Sequence, residues 1–173
     1  MAVLGTQLNI IVHASEVGGV LGRAAHAWGQ PGPILRAIGT GLAANTRNRF
    51  DRGVAPDGAP WAELSPAYEP MKKGPGILRE SGMRGGLQGS ITFDVDGSVL
   101  SVGTNKVYGA VHQFGAVIRP RSAAYLVFRL AFGLVKVRQV TIPARPYLGI
   151  GPEDEDTILD VAEAFMARSL ARR

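Results

Sequence analysis

The sequence predicts an α+β fold: a small, mainly antiparallel sheet with a protruding β-hairpin, packed against two to three helices including a C-terminal helix. Three observations predict it. Apolar residues recur every three or four positions over 33–52 and again over 152–168, the spacing of one helix face. Alternating apolar residues flank Asp96-Gly97, a dipeptide typical of tight hairpin turns. The length of 173 residues suits a single domain, 1–173, with a hydrophobic core.

The composition excludes several classes of protein. The chain has 46% hydrophobic and 19% charged residues, as globular proteins do, and without cysteine it has no disulfide, catalytic thiolate or cysteine-ligated metal. No apolar run approaches the roughly 20 residues of a membrane span, and the start lacks the features of a signal peptide. We therefore expect synthesis in the cytoplasm and no membrane contact. The net charge of +5 permits contact with nucleic acid, but the basic residues look scattered and no DNA-reading motif is present.

The first half is predicted to hold one strand and two helices. Residues 8–13 are a short β-prone run and predict the first strand. Ser15 is a capping residue type, and a helix weakened by glycines is predicted from there to Trp28. Pro33 opens a stronger helix that ends near Arg52-Gly53. Its predicted buried face, with Arg36, Arg47 and Arg49 off it, comprises Leu35, Ile38, Leu42, Thr46 and Phe50.

A long loop is predicted over 53–76, because five prolines there exclude a long helix or strand. Trp61 and Leu64 are expected to anchor its middle on the core. A short helical piece is predicted to begin at Ile77-Leu78 and to include Ser81-Gly82, before a glycine-rich link.

Two β-hairpins are predicted in the second half. The first joins strands at 90–95 and 99–103. The second is a hairpin at 122–142, with strands over 125–130 and 134–142. Its tip, 130–134, is strongly apolar. A monomer rarely exposes such a tip, so we expect it to pack against a neighbouring subunit.

One or two helical turns are predicted over 108–114, and the chain ends in a helix that starts at Pro152. Four acidic residues at 153–156 occupy the first turn of this helix, opposite the partial positive charge of the helix dipole, and Arg168 lies near the other end. The acidic cluster is therefore interpreted as a helix start and not as a metal site.

The search for chemistry finds no catalytic set. No two of the three histidines have the spacing of a helical zinc site. His112 is the only candidate base, but no serine lies in a nucleophile elbow. There is no phosphate-binding loop, and Asp94 and Asp96 lack the remaining ligands of a calcium loop. We expect no catalytic residue, no metal and no cofactor.

Two segments are predicted to meet where the fold closes. They are the stretch 103–115 and the proline-flanked stretch 142–149. Arg145 is expected to form a fork of hydrogen bonds to carbonyls or a carboxylate there. The structural junction is predicted to comprise Tyr108, His112, Gln113, Phe114, Gly115, Arg145, Pro146 and Tyr147.

Several motifs occur in a fixed order along the chain. They are Trp61-Ala62-Glu63-Leu64-Ser65-Pro66, then His112-Gln113-Phe114-Gly115, then Pro143-Ala144-Arg145-Pro146. In this order they resemble the virion morphogenesis, or tail completion, family of Mu-like tailed bacteriophages, over about residues 33–168. Two departures concern local geometry. The glycine pair that usually closes the central motif is Gly115-Ala116, and the link after Ser81-Gly82 carries extra glycine-rich residues.

The resemblance implies a non-enzymatic structural protein of the virion neck, active in tail completion and head-to-tail joining. Such proteins act as homo-oligomeric rings, with six or twelve copies plausible here, and contact other neck, tail-tube or portal and adaptor proteins. The host cytoplasm is where assembly is expected. Subunit-interface candidates are Leu130, Phe132, Leu134 and Trp61. Candidates for facing genomic DNA in a central channel, in a non-specific contact, are Arg121, Arg129, Lys136 and Arg138.

Two other functions stay open at the level of the sequence. One is a free DNA-binding assembly factor, which would bind duplexes tightly and in a salt-dependent way. The other is a small hydrolase that uses His112.

Overall fold

Helix α1 (Gly32–Arg52) forms the centre of the hydrophobic core in the computed structural model, which describes residues 8–13, 31–80 and 86–171. All five residues of the predicted stripe are buried, with at most 3% of their surface exposed. The helix ends at Gly53, which has the left-handed backbone (φ 67°) that favours glycine. The prediction for this helix is confirmed, except that Arg49 is also buried.

A three-stranded antiparallel sheet packs on α1. It comprises β1 (Leu8–His13), β2 (Thr92–Asp96) and β3 (Val99–Thr104), in the order β1–β3–β2. Helix and sheet approach closely at Gly39, where a Cβ atom would lie 2.5 Å from the ring of Phe93. The β2–β3 hairpin is confirmed, but its turn differs by one residue. Asp96 pairs with Val99, so the turn is Gly97-Ser98 and only Gly97 has a positive φ.

The second half forms two further small sheets. Helix α2 (Gly109–Phe114) leads into β4 (Ala116–Ile118), which pairs with β7 (Val140–Ile142). Between them, β5 (Leu126–Leu130) and β6 (Gly133–Val137) form a separate antiparallel hairpin. The predicted second strand over 134–142 is therefore wrong in extent, because its end leaves the hairpin to pair with β4. The β5–β6 hairpin has only minor contacts with the other described helices and strands.

Helix α3 (Pro152–Leu170) packs across α1 and buries Ile158 and Ala162. Its predicted start at Pro152 is confirmed. The acidic first turn is more than dipole compensation, because Asp154 is 1% exposed and contacts α1.

The α+β class is confirmed, with three small antiparallel sheets in the described residues where one was expected. The long loop holds only a 3-10 turn (Glu69–Met71) and one isolated bridge. The helical piece at 77–78 is wrong, since both residues lie in a turn and Leu78 has φ 57°. The predicted helix over 15–28 and Ser81-Gly82 lie outside the described residues. None of the helices in the described ranges is long and apolar enough to cross a bilayer.

Candidate functional site

The two stretches expected to meet do so through backbone and side-chain hydrogen bonds. The Arg145 N–H donates to the His112 carbonyl at 2.7 Å. Gln113, near the end of α2, binds the neighbouring backbone three times. Its Oε1 accepts from the N–H groups of Tyr147 and Leu148, each at 3.0 Å, and its Nε2 donates to the Leu148 carbonyl at 2.8 Å. One amide side chain thus replaces a strand partner for residues that belong to no sheet.

Two other elements hold the same segment. Trp61 in the long loop donates from Nε1 to the Pro146 carbonyl at 2.6 Å. Arg49 of α1 donates from Nη1 to the carbonyls of Tyr147 and Gly149, each at 3.1 Å. With Gln113, every carbonyl from 146 to 149 therefore accepts a hydrogen bond from a side chain. Buried irregular backbone needs such partners, because an unpaired peptide group would lose its bonds to water. We call residues 145–149 the clamped segment.

A buried ion pair between Arg49 and Asp154 lies next to the clamped segment. The Nη2 of Arg49 contacts the Oδ2 of Asp154, and both side chains are at most 2% exposed. The same Asp154 oxygen accepts from the Gly151 N–H at 2.9 Å, at the start of α3. The pair thus joins α1, the clamped segment and α3.

Sequence reasoning missed both members of this pair. Arg49 was placed off the apolar face of α1, yet it lies seven residues after Leu42 and therefore almost two full turns along the same face. That spacing was the available signal for Arg49. Asp154 had a corresponding signal, because it lies four residues before Ile158 on the buried face of α3.

The side chain of Arg145 makes the expected fork of hydrogen bonds. Its Nε donates to the Ala62 carbonyl and its Nη2 to the Glu63 carbonyl, both at 2.7 Å. Arg145 is 5% exposed, and burial lowers its pKa. It ties the long loop to the same segment that Trp61 contacts from the other side.

A groove of about 730 Å³ opens beside the junction, between the long loop, strand β5 and strand β7. Its lining is largely apolar and includes Leu64, Leu78, Tyr108, Phe128 and Ile142. Tyr108 donates a hydrogen bond to Oε1 of Glu80 at 2.9 Å. Burial, followed by this bond and the charge of Glu80, raises the pKa of Tyr108 to about 12.

His112 also lines the groove. Its Nδ1 is buried and has no hydrogen-bond partner in the described structure, and its ring meets Tyr108 edge-on at 6.0 Å. Burial, and then the charge of Arg145, lowers the pKa of His112, while Glu80 acts in the opposite direction. A catalytic histidine is normally oriented by a carboxylate on its second nitrogen. No such carboxylate bonds to Nδ1 here, and the described residues contain no cluster of three potential metal ligands.

The other predicted junction residues differ in their placement. Tyr147 is fully buried against Phe50, with ring centres 5.2 Å apart. Gly115 has φ 73°, and a Cβ atom there would lie 2.9 Å from the Ile142 carbonyl oxygen, so this position requires glycine. The expectation that Phe114 packs at the junction is wrong, because it is 69% exposed.

The interface candidates divide into one buried and three hairpin residues. Trp61 as an interface residue is wrong for the described fold, because it is 5% exposed and packs edge-on against Phe50. Phe132 and Leu134 are 72% and 69% exposed, and Leu130 is half-buried. The four DNA-facing candidates, Arg121, Arg129, Lys136 and Arg138, are all exposed. The roles of these hairpin residues stay predictions.

Comparison with known proteins identifies related sequences. The sequence profile described as the phage virion morphogenesis family matches residues 12–167. The chain is 29% identical over 156 residues to the Mu-like prophage FluMu G protein 2 of Haemophilus influenzae, covering 90% of this chain and 93% of that protein. It is 28% identical over 142 residues to the putative capsid assembly protein G of Escherichia phage Mu, covering 79% and 80%. No solved structure matches the chain at a comparable level.

Proposed function

The chain belongs to the phage virion morphogenesis family, and from that premise we propose that it is a structural protein of the virion neck that completes tails and joins them to heads. A structural role in phage assembly is supported by the family's description as virion morphogenesis and by the name of the related phage Mu protein, a putative capsid assembly protein. The neck location, the ring of copies and the absence of catalysis belong to the proposal. Its partners are further copies of the chain and the neighbouring neck, tail-tube or portal proteins.

One observation carries the proposal of a ring: the exposed apolar tip of the β5–β6 hairpin. Phe132 and Leu134 each expose about seven-tenths of their surface to solvent. Full burial of such a side chain contributes about 1.5–3 kcal/mol. A second copy that covers the tip therefore adds a large part of a stable contact.

The tip and the groove are different apolar surfaces of one molecule. A contact between two unlike surfaces of identical copies is heterologous, and it generates a closed ring when the rotation between copies closes. The groove is walled by Phe128 and Leu130 of β5, whereas the two exposed tip residues, Phe132 and Leu134, do not line it. We propose that the hairpin tip of one copy packs in the groove of the next.

The mass of the purified protein in solution, with electron microscopy of the same sample and of virions, tests this function. A ring, with six or twelve copies expected, and its presence at the neck of particles support the proposal. Phe132→Ser should lower the mass to that of the monomer while the free energy of unfolding of the monomer changes little. A persistent wild-type monomer that is absent from virions would contradict the proposal.

The matched control is Leu159→Ser, because Leu159 is 58% exposed on α3, a helix that contributes no residue to the groove or the hairpin. It should leave the mass unchanged. The absence of cysteine provides a second test. Phe132→Cys mixed with Tyr68→Cys, a groove residue, should form an oxidised cross-link between copies. Oligomers that form without this cross-link would support the ring but contradict the proposal that the groove receives the hairpin tip.

A further inference from the structure

The charges of the chain are segregated. Between Asp96 and Glu153 the sequence has no acidic residue and seven lysines and arginines, so the other residues carry a net −2 against the total of +5. The net positive charge is therefore concentrated in this stretch. The expectation that the basic residues are scattered along the chain is wrong. The seven residues in this stretch are Lys106, Arg119, Arg121, Arg129, Lys136, Arg138 and Arg145.

The β5–β6 hairpin places two of these cations, Arg129 and Lys136, on one face, and a third, Arg138, follows the end of β6. Its register pairs Val127 with Lys136 and Arg129 with Leu134, and all four side chains are exposed. Arg138 follows two residues after Lys136, in a bend just beyond the end of β6, and is exposed. The opposite face carries half-buried apolar residues: Leu126, Phe128, Leu130, Val135 and Val137.

These three cations have no internal partner among the described residues, whereas several other arginines do. Arg49 pairs with Asp154, Arg52 with Glu153 and Arg79 with Asp51. Arg129, Lys136 and Arg138 take part in no described ion pair or side-chain hydrogen bond. Like charges close together on one ribbon repel each other, so an external anion would stabilise this face.

We propose that the outer face of the β5–β6 hairpin binds the phosphate backbone of duplex DNA without reading its sequence. Arginine and lysine are the side chains that bind phosphate. In this register Arg129 and Lys136 are diagonal neighbours, about 7–8 Å apart. Val127 lies on the same face and offers no polar group that could read a base edge. Binding is therefore electrostatic and depends on salt. It does not require the ring proposed above.

The test is fluorescence anisotropy with two unrelated duplexes of about 30 base pairs, from about 50 to about 200 mM salt. The hairpin variant combines Arg129→Gln, Lys136→Gln and Arg138→Gln. The control removes three exposed charges elsewhere: Arg36→Gln, Lys73→Gln and Arg168→Gln. The logarithmic salt slope should fall by about 0.9 for each phosphate that the protein no longer neutralises, so by about 2.7 per copy in the hairpin variant. The control should retain most of the wild-type slope.

Each outcome decides the proposal. Both duplexes binding equally, with weaker binding only in the hairpin variant, supports it. No wild-type binding at the lowest salt, or equal weakening in the two variants, overturns it. Polyglutamate binding as tightly as DNA would also overturn it, in favour of an acidic protein partner. The mass of each variant, measured in the same buffers, separates an effect on DNA binding from an effect on the ring.

Discussion

The clamped segment and the β5–β6 hairpin are opposites in how they are held. The clamped segment belongs to no helix or sheet, yet its backbone carbonyls are bound by side chains from α1, α2 and the long loop. The hairpin has regular pairing along both strands but few contacts with the other described elements. In this comparison the irregular segment is the firmly held one, and the regular hairpin has few internal contacts.

This difference separates two kinds of substitution. Changes around the clamped segment remove internal partners and should act on the stability of the monomer. Changes on the hairpin remove exposed groups and should act on association. The following predictions test that separation, from the largest expected effect to the smallest.

The largest effect is expected from Asp154→Ala. It leaves Arg49 buried without its counter-charge and removes the partner of the Gly151 N–H, so the free energy of unfolding should fall by about 3–5 kcal/mol. Urea unfolding measures it. The control is Glu153→Ala, which breaks the neighbouring exposed pair with Arg52 and should cost about 0–1 kcal/mol. Equal losses in the two variants would show that the ion pair has no special role in holding the segment.

Gln113→Ala should lower the free energy of unfolding by about 2–3 kcal/mol, because it leaves two buried N–H groups and one carbonyl of the clamped segment without partners. The hairpin counterpart, Leu134→Ser, should change the stability of the monomer by less than about 0.5 kcal/mol. Denaturant unfolding at low protein concentration compares them. A larger loss for Leu134→Ser would contradict the contrast between the two regions.

A pH effect is expected from His112. Since burial, followed by the charge of Arg145, lowers its pKa in the folded state below the ordinary 6.5, the unfolded chain takes up the proton at a higher pH. Stability should therefore fall as the pH is lowered through about 6.5 and level off below the folded pKa. Unfolding from about pH 8 to about pH 5 should show this fall in the wild type and a smaller one in His112→Gln. Parallel curves for the two proteins would refute it.

The smallest effect is expected from Tyr147→Phe. The Tyr147 hydroxyl is buried and has no partner in the described structure, so its removal should leave stability within about 0.5 kcal/mol of the wild type or increase it. Tyr108→Phe is the matched control. It removes a bond to Glu80 and should cost about 0.5–1.5 kcal/mol. A clear loss in Tyr147→Phe would reveal an unrecognised partner of that hydroxyl.

Periodicity predicted the parts of this fold that depend on one helix or one hairpin. The faces of α1 and α3 follow from spacings of three and four residues, because neighbouring turns of a helix share a side. Pairing between distant strands has no such local signal, so 140–142 was assigned to the hairpin when it pairs with β4. The extra helical turn at 77–78 failed because Leu78 takes a left-handed backbone that its residue type rarely adopts.

The junction was predicted as a meeting of segments, and its chemistry only in part. The fork made by Arg145 was expected from the prolines around it and is present. The hydrogen bonds and ion pair of Arg49 were not expected, because a charged residue is seldom assigned to a core when its partner lies 105 positions away. Trp61 was expected both to anchor the long loop on the core and to lie at a subunit interface. It is buried against Phe50, so the first expectation is confirmed and the second is wrong.

The side-chain hydrogen bonds to residues 146–149 also affect which amino-acid substitutions the protein tolerates in this region. Gln113, Arg49 and Trp61 bind peptide N–H and C=O groups, and peptide carbonyls are common to all twenty amino acids. Hydrogen bonds to the main chain alone do not depend on which side chains residues 146–149 carry, apart from the packing of those side chains. In a library of variants, Pro143, Ala144 and Ile150 beside this segment should accept many replacements because their side chains are exposed, while Gln113, Arg49 and Trp61 should accept few.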